Sequence, residues 1–339
     1  MKKQHIDDVQ TSTVDEHFKS IVEDENVLDS ELTDVIPNDL PDWYNDKLFK
    51  EGQDYYKRNM LLGELSYILG LISILAIPTI RQVIKFTARS STPCVAFKRH
   101  LGAQLHVFNI ITCDPNDPHS NWYKSINITR WRHNISTHTL NKADLEGILH
   151  KDMAFTQCAF MVYIFSMTES FGLCNKLKEE EGFNHLWRVI GYMLGIPDRL
   201  NICRKSGMET RELCQKIVNN VFANYFNNVS PDFYHTISTV LEGIRHIDIS
   251  VNRDALLALF YRLNNIEYKA SLGWYSWLNM KYRDLILKLY FLPYIGTVTK
   301  IYYNFTMMLM YWSATTLPLF AWLSYGRSNT RIHLYPNYK

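Results

Sequence analysis

The sequence predicts an all-α protein on three observations. Apolar residues recur at helical spacing through most of the chain beyond residue 43, strand signals are scarce, and no internal repeat is visible. No glycine-rich loop of the kind that cradles phosphates is present, so nucleotide chemistry has no support. With 339 residues, 47% hydrophobic and 14% aromatic, the chain has ample material for a packed core.

Charge divides the chain. Residues 1–42 carry twelve Asp or Glu against three Lys, a net of −9, which leaves +11 for the remainder. The acidic part is short of aromatics and apolar runs, so residues 1–42 are expected to be a disordered tail. A helical domain is expected over 43–290, followed by an apolar C-terminal segment over 291–339 that offers membrane contact. The basic residues are dispersed among apolar stretches without a nucleic-acid motif, which excludes nucleic acid and favours a membrane surface as the anionic partner.

Pro37 and Pro41 punctuate the end of the tail, and Trp43 and Tyr44 mark where packing begins. Residues 60–80 are apolar apart from Glu64, Ser66, Tyr67, Ser73 and Thr79, and Pro78 breaks their end. About 20 such residues suffice to cross a bilayer, and a buried core helix fits equally well. Over residues 83–108, Arg99, the small pair Gly102 and Ala103, and His106 recur along one helical face. Asp114, Pro115, Asp117 and Pro118 form a loop, and a helix then carries residues 122–137. Asp152 opens another helix, with Met153, Thr156, Phe160 and Tyr163 on one stripe. Residues 186–194 are apolar and stop at Gly195, Pro197 and Asp198. From 301 to 326 no side chain is formally charged, with Lys300 and Arg327 at the borders; Pro318 there also suits a kinked buried helix or an interfacial hairpin.

The six cysteines occur singly, without the spacing of a zinc site or a disulfide framework, and read mostly as small buried hydrophobes. The polar, acidic N-terminus is unlike an ordinary cleaved signal peptide. The most informative stretch is 122–138, WYKSINITRWRHNISTH, which sets Arg130 and His133 at i, i+3 beside tryptophans. Histidine is the commonest metal-binding side chain and the usual proximal ligand of haem iron, and arginine suits the carboxylates that haem carries. His106, one turn beyond Gly102, is a second candidate; His100 and His138 fall off these faces and read as surface residues.

Four segments carry a resemblance: TARSSTPCVAFKRHLGAQLHV, NWYKSINITRWRHNIS, KDMAFTQCAFMVY and WRVIGYMLGIPDRLNIC. In order, spacing and type they resemble the catalytic domain shared by bacterial latex-clearing protein, a rubber oxygenase, and the endoplasmic-reticulum-bound MPAB-type oxygenases. The resemblance implies a globin-like helical core of the rubber-oxygenase type with additional C-terminal helices, holding haem b. Its Arg-x-x-His falls on Arg130 and His133, which makes His133 the implied iron ligand and Arg130 its neighbour pairing with a propionate. The family's earlier arginine falls on Arg99, 34 residues before His133, the separation found in the rubber oxygenases. The chain departs from the pattern where the family has a distal lysine and threonine, here Gly102 and Ala103, and where it has a further arginine, here Thr137.

The implied activity is oxidative cleavage, with dioxygen, of an isoprenoid or other unsaturated lipid chain. Arg99 and His106 are the expected catalytic donors, Arg99, Arg130 and His133 the cofactor contacts, and His133 the metal ligand. The resemblance and the apolar C-terminal segment imply a membrane-associated protein, with the endoplasmic reticulum as the candidate membrane and a cytoplasmic location as the alternative. The departures leave open a non-catalytic haem or hydrophobic-ligand binder on the same scaffold.

Overall fold

Residues 60–76 have no polar face, and a helix apolar all round is stable only when surrounded. In the computed structural model, which describes residues 5–29, 33–88, 90–170 and 177–336, they form α4 (Met60–Ala76) at the centre of the molecule, with fifteen of seventeen residues buried. A helix precedes it, α3 (Asp46–Arg58), capped by the Asn45 side chain; the two meet at a bend of 89°. Pro78 starts α5 (Pro78–Phe86), since proline is tolerated in a first turn where its missing N–H is not needed. The core-helix alternative for residues 60–80 therefore holds. Among the described residues, no single helix is long and apolar enough to cross a membrane.

Four further long helices follow, α6 (Pro93–Thr112), α7 (Asn121–Asn141), α8 (His150–Ser170) and α9 (Leu177–Leu194). Here α8 packs along α4, α9 along α3, and α7 along α6. The α3/α9 contact is close because Gly52 and Gly182 face each other: a Cβ on Gly52 would lie 2.3 Å from the Gly182 carbonyl oxygen. Beyond these come α10 (Gly207–Ile217), a π turn (Val218–Phe222), α11 (Ala223–Asn227), α12 (Pro231–Arg245), which packs on α6, and α13 (Arg253–Leu263). The C-terminal region is a hairpin of α14 (Trp274–Phe291) and α15 (Ile295–Thr316), followed by α16 (Leu319–Tyr325). Among the described residues no strand forms; one antiparallel bridge joins Val27 to Leu149.

The acidic N-terminal segment differs from its expectation. Two helices, α1 (Ile6–Val9) and α2 (Val14–Val22), dock on the body, and Ile6, Ile21 and Leu28 are buried. A capping box, Thr13 with Glu16, starts α2. The charge asymmetry that signalled disorder is what holds the segment: Asp7 pairs with Arg188, Asp15 with Lys216, Asp24 with Arg199 and Glu25 with Lys151. Composition measures a segment by itself and misses a complementary surface supplied by the rest of the chain.

Candidate functional site

Between α4, α5, α6, α7, α8 and α9 lies a cavity of about 320 Å³. That is within the usual range for small-molecule sites, roughly 300–1,000 Å³. Its walls are mostly aliphatic, among them Leu71, Ile74, Val83, Ile110, Met153 and Ile190. An aromatic stack closes one side. Tyr67 lies on Phe160 at 5.5 Å between ring centres and Phe160 on Trp187 at 6.0 Å. Hydroxyl groups on the wall turn back to their own helices: Thr129 donates to the Ser125 carbonyl, Ser136 to Arg132 and Thr156 to Asp152, at 2.7–2.8 Å. What remains polar at the wall is a small set, chiefly Arg99, His100 and His106 from α6, Arg132 and His133 from α7, and Asp152 and Gln157 from α8.

Helical geometry explains which residues arrive there. On α6, Arg99, Ala103, His106, Val107 and Ile110 recur along one stripe; on α7, Thr129, Arg132, His133 and Ser136 do the same. At 3.6 residues per turn, Arg130 lies about 110° from the centre of that α7 stripe. It is buried elsewhere. Its Nη1 donates to the Met193 carbonyl at 3.0 Å and its Nη2 to the Thr33 carbonyl at 2.9 Å, so its fork ties α9 and the N-terminal segment to α7. The i, i+3 pairing of Arg130 with His133 thus gives way to Arg132, which the sequence reading missed although it stands next to the histidine.

His100 also differs from its expectation as a surface residue. It is buried at the cavity wall, its Nδ1 lies 3.2 Å from the Tyr67 hydroxyl, and its Nε2 is buried with no hydrogen-bond partner among the described residues. Burial, then the neighbouring Arg99, pushes its pKa down to about 3. Burial and the nearby Arg132 push His106 down to about 4. Both imidazoles are neutral at pH 7, and a neutral ring nitrogen can bind a metal or accept a proton. Burial pushes Asp152 up to about 6. Arg99 donates from Nη1 to the Ser90 hydroxyl at 3.2 Å. His138 is exposed, as expected.

Gly102 borders this stripe, and a Cβ built on it would meet nothing within 4 Å. Behind the aromatic stack is a space of about 20 Å³, room for one water, beside the buried Glu64. Glu64 accepts from Tyr311 at 2.8 Å and from Gln104, and burial pushes it up to about 7. Among the described residues, no group of three or more His, Cys, Asp or Glu is placed to hold a bare metal ion. The five described cysteines are free thiols, and Cys174 lies outside the described residues.

An all-helical shell around an apolar cavity with a cationic and imidazole-bearing wall defines the class. The chain is similar in fold to the solved structure of latex clearing protein LCP in the closed state, with a TM-score of 0.60 and 14% identity. The match covers 80% of this chain and 76% of that one. No family model and no curated protein matches the sequence. The fold is therefore of the rubber-oxygenase type.

Proposed function

We propose that the protein is a haem-dependent oxygenase that cleaves an isoprenoid or other long unsaturated lipid chain with dioxygen, the activity implied by the resemblance of its four segments to the rubber and MPAB-type oxygenases and supported by the fold it shares with latex clearing protein. The observation that carries this reading is the convergence of Arg99, His106, Arg132 and His133 on one apolar cavity in a latex-clearing-protein fold. The residues present fit haem b. A porphyrin supplies four ring nitrogens to its iron and needs one protein imidazole, which agrees with a wall that has histidines and, among the described residues, no side-chain cluster for a bare ion.

In this reading His133 provides the iron ligand, and Arg99 and Arg132 pair with the two carboxylates. Haem supplies the binding and activation of dioxygen. His106, neutral at pH 7, holds one N–H to donate toward developing negative charge and one nitrogen to accept a proton. Asp152 titrates near pH 6 and can take up or release a proton at the wall. The aliphatic side chains exclude water and accommodate the hydrocarbon substrate.

A second reading, a non-catalytic binder of haem or a hydrophobic ligand, is favoured by Gly102 and Ala103 standing where the family has its lysine and threonine, and by Arg130 being committed to backbone carbonyls. Oxygen uptake separates the two. Haem-supplemented protein given a polyprenyl substrate is expected to consume dioxygen and yield carbonyl products, with both lost in His133→Ala. Haem binding without oxygen uptake over a range of chain lengths would favour the binder.

A further inference from the structure

The 72 residues after Glu267 contain a single acidic side chain, Asp284, against eight lysines and arginines. Asp284 is itself taken up by Arg262 of α13, at 2.8 Å from Nη1. Lys281 and Lys288 of α14, and Arg327 and Arg331 beyond α16, are exposed, so the outer side of this C-terminal layer is basic. The same side is also apolar. Along α15, Ile295, Val298, Tyr302, Phe305, Leu309 and Trp312 recur at alternating steps of three and four and are exposed, while Met307, Tyr311 and Ala314 pack inward. On α14 the exposed stripe holds Trp274, Trp277, Tyr282 and Leu285, and on α16 Leu323 is 86% exposed. The Tyr282 and Tyr303 hydroxyls, 3.1 Å apart, join α14 to α15. So many large apolar side chains exposed on neighbouring helices are uncommon on a monomer and mark an interaction surface.

We propose that the outer face of α14–α16 docks the protein in plane on an anionic phospholipid bilayer, without crossing it. Three features select this occupant. Tryptophan and tyrosine prefer the depth of the headgroups, where an indole or phenol has one apolar and one wet side. Cations lie over rings of the same layer, Lys281 at 5.8 Å from the Trp277 ring centre and Arg327 at 5.2 Å from that of Trp322, so charge and apolar surface meet the same plane. A second copy of the chain fits poorly, because a twofold dimer would set this basic surface against itself. In-plane docking follows from α15 itself, whose inner side is fastened to the core through Tyr311 and Glu64.

Flotation of the full-length protein with phosphatidylcholine vesicles, with and without phosphatidylserine, tests this. Binding is expected to require phosphatidylserine, to fall at high salt, and to weaken roughly tenfold or more in Lys281→Glu/Lys288→Glu, since each basic residue near such a surface adds about a factor of five. Phe305→Ser/Leu323→Ser should weaken it as well, with circular dichroism and Tm close to the parent. Three results would overturn the proposal: protein remaining in the aqueous fraction with both vesicle types, a dimer in sedimentation that Phe305→Ser dissolves, or resistance to alkaline carbonate extraction.

Discussion

His133 and Arg130 stand three residues apart on α7, and the structure gives them different work. His133 meets the cavity, whereas Arg130 satisfies two buried carbonyls, those of Thr33 and Met193. Removing a charged donor from buried acceptors costs more than the bond itself, because the acceptors lose hydration and gain nothing. Arg130→Gln is therefore expected to lower stability in urea by about 2–4 kcal/mol and to leave haem binding unchanged once folded. In His133→Ala the pattern reverses, with stability of the haem-free protein nearly kept and haem binding lost. Glu64 makes a separate prediction. Its folded pKa, about 7, lies above its ordinary value of 4.5, so the stability it contributes is complete below about 4.5 and is lost as pH rises through 7. Urea midpoints measured from pH 5 to 8 should fall less steeply in Glu64→Gln, which keeps an acceptor for Tyr311. An unchanged slope would mean that Glu64 is charged in the fold.

Elements are held by the few positions where they touch. Helix α2 reaches the core through Ile21, which is fully buried; its Asp15 meets Lys216 on α10, and Asp24, just past its end, meets Arg199 in the turn after α9. Ile21→Ala should cost about 2–4 kcal/mol, the usual range for a core isoleucine; in a disordered tail it would cost nothing measurable. Two glycines on packed helices separate conformational cost from packing cost. Gly102, inside α6, has open space where a Cβ would go, so Gly102→Ala should stabilise by up to about 1 kcal/mol through reduced freedom of the unfolded chain. Gly243 of α12 is pressed against α6. A Cβ there would lie 2.7 Å from the Phe97 nitrogen and 2.9 Å from the Pro93 carbonyl oxygen, and these backbone atoms cannot move aside cheaply. Gly243→Ala should destabilise by about 1–3 kcal/mol. Thermal melts of the two variants should shift in opposite directions.

At the scale of the whole molecule, the helical class is legible because long apolar segments with proline and glycine at their ends declare helices locally, as residues 60–80 and 186–194 do. The α6 stripe that carries Arg99 and His106 is legible as well, from its regular spacing, while His133 is marked by the Arg-x-x-His of the resemblance and not by a stripe on α7. What escapes depends on tertiary context. Residues 1–42 look disordered because complementarity between two oppositely charged parts of a chain cannot be seen within either part. Arg130 and Arg132 cannot be ranked from sequence, because the position of the neighbouring helix decides which of them meets the cavity. His100 reads as exposed for the same reason. The choice between core and bilayer for α4 needs the surrounding helices, which the 14% identity to latex clearing protein in the shared fold does not supply by sequence alone.

That the cavity binds haem through His133 is the central claim, and spectral titration of the full-length protein with hemin measures it most directly. A saturable Soret band at one haem per chain is expected, retained in Arg130→Gln and lost or displaced in His133→Ala. A titration in which hemin stays in its free form, or in which His133→Ala binds it with an unaltered spectrum, would contradict the claim.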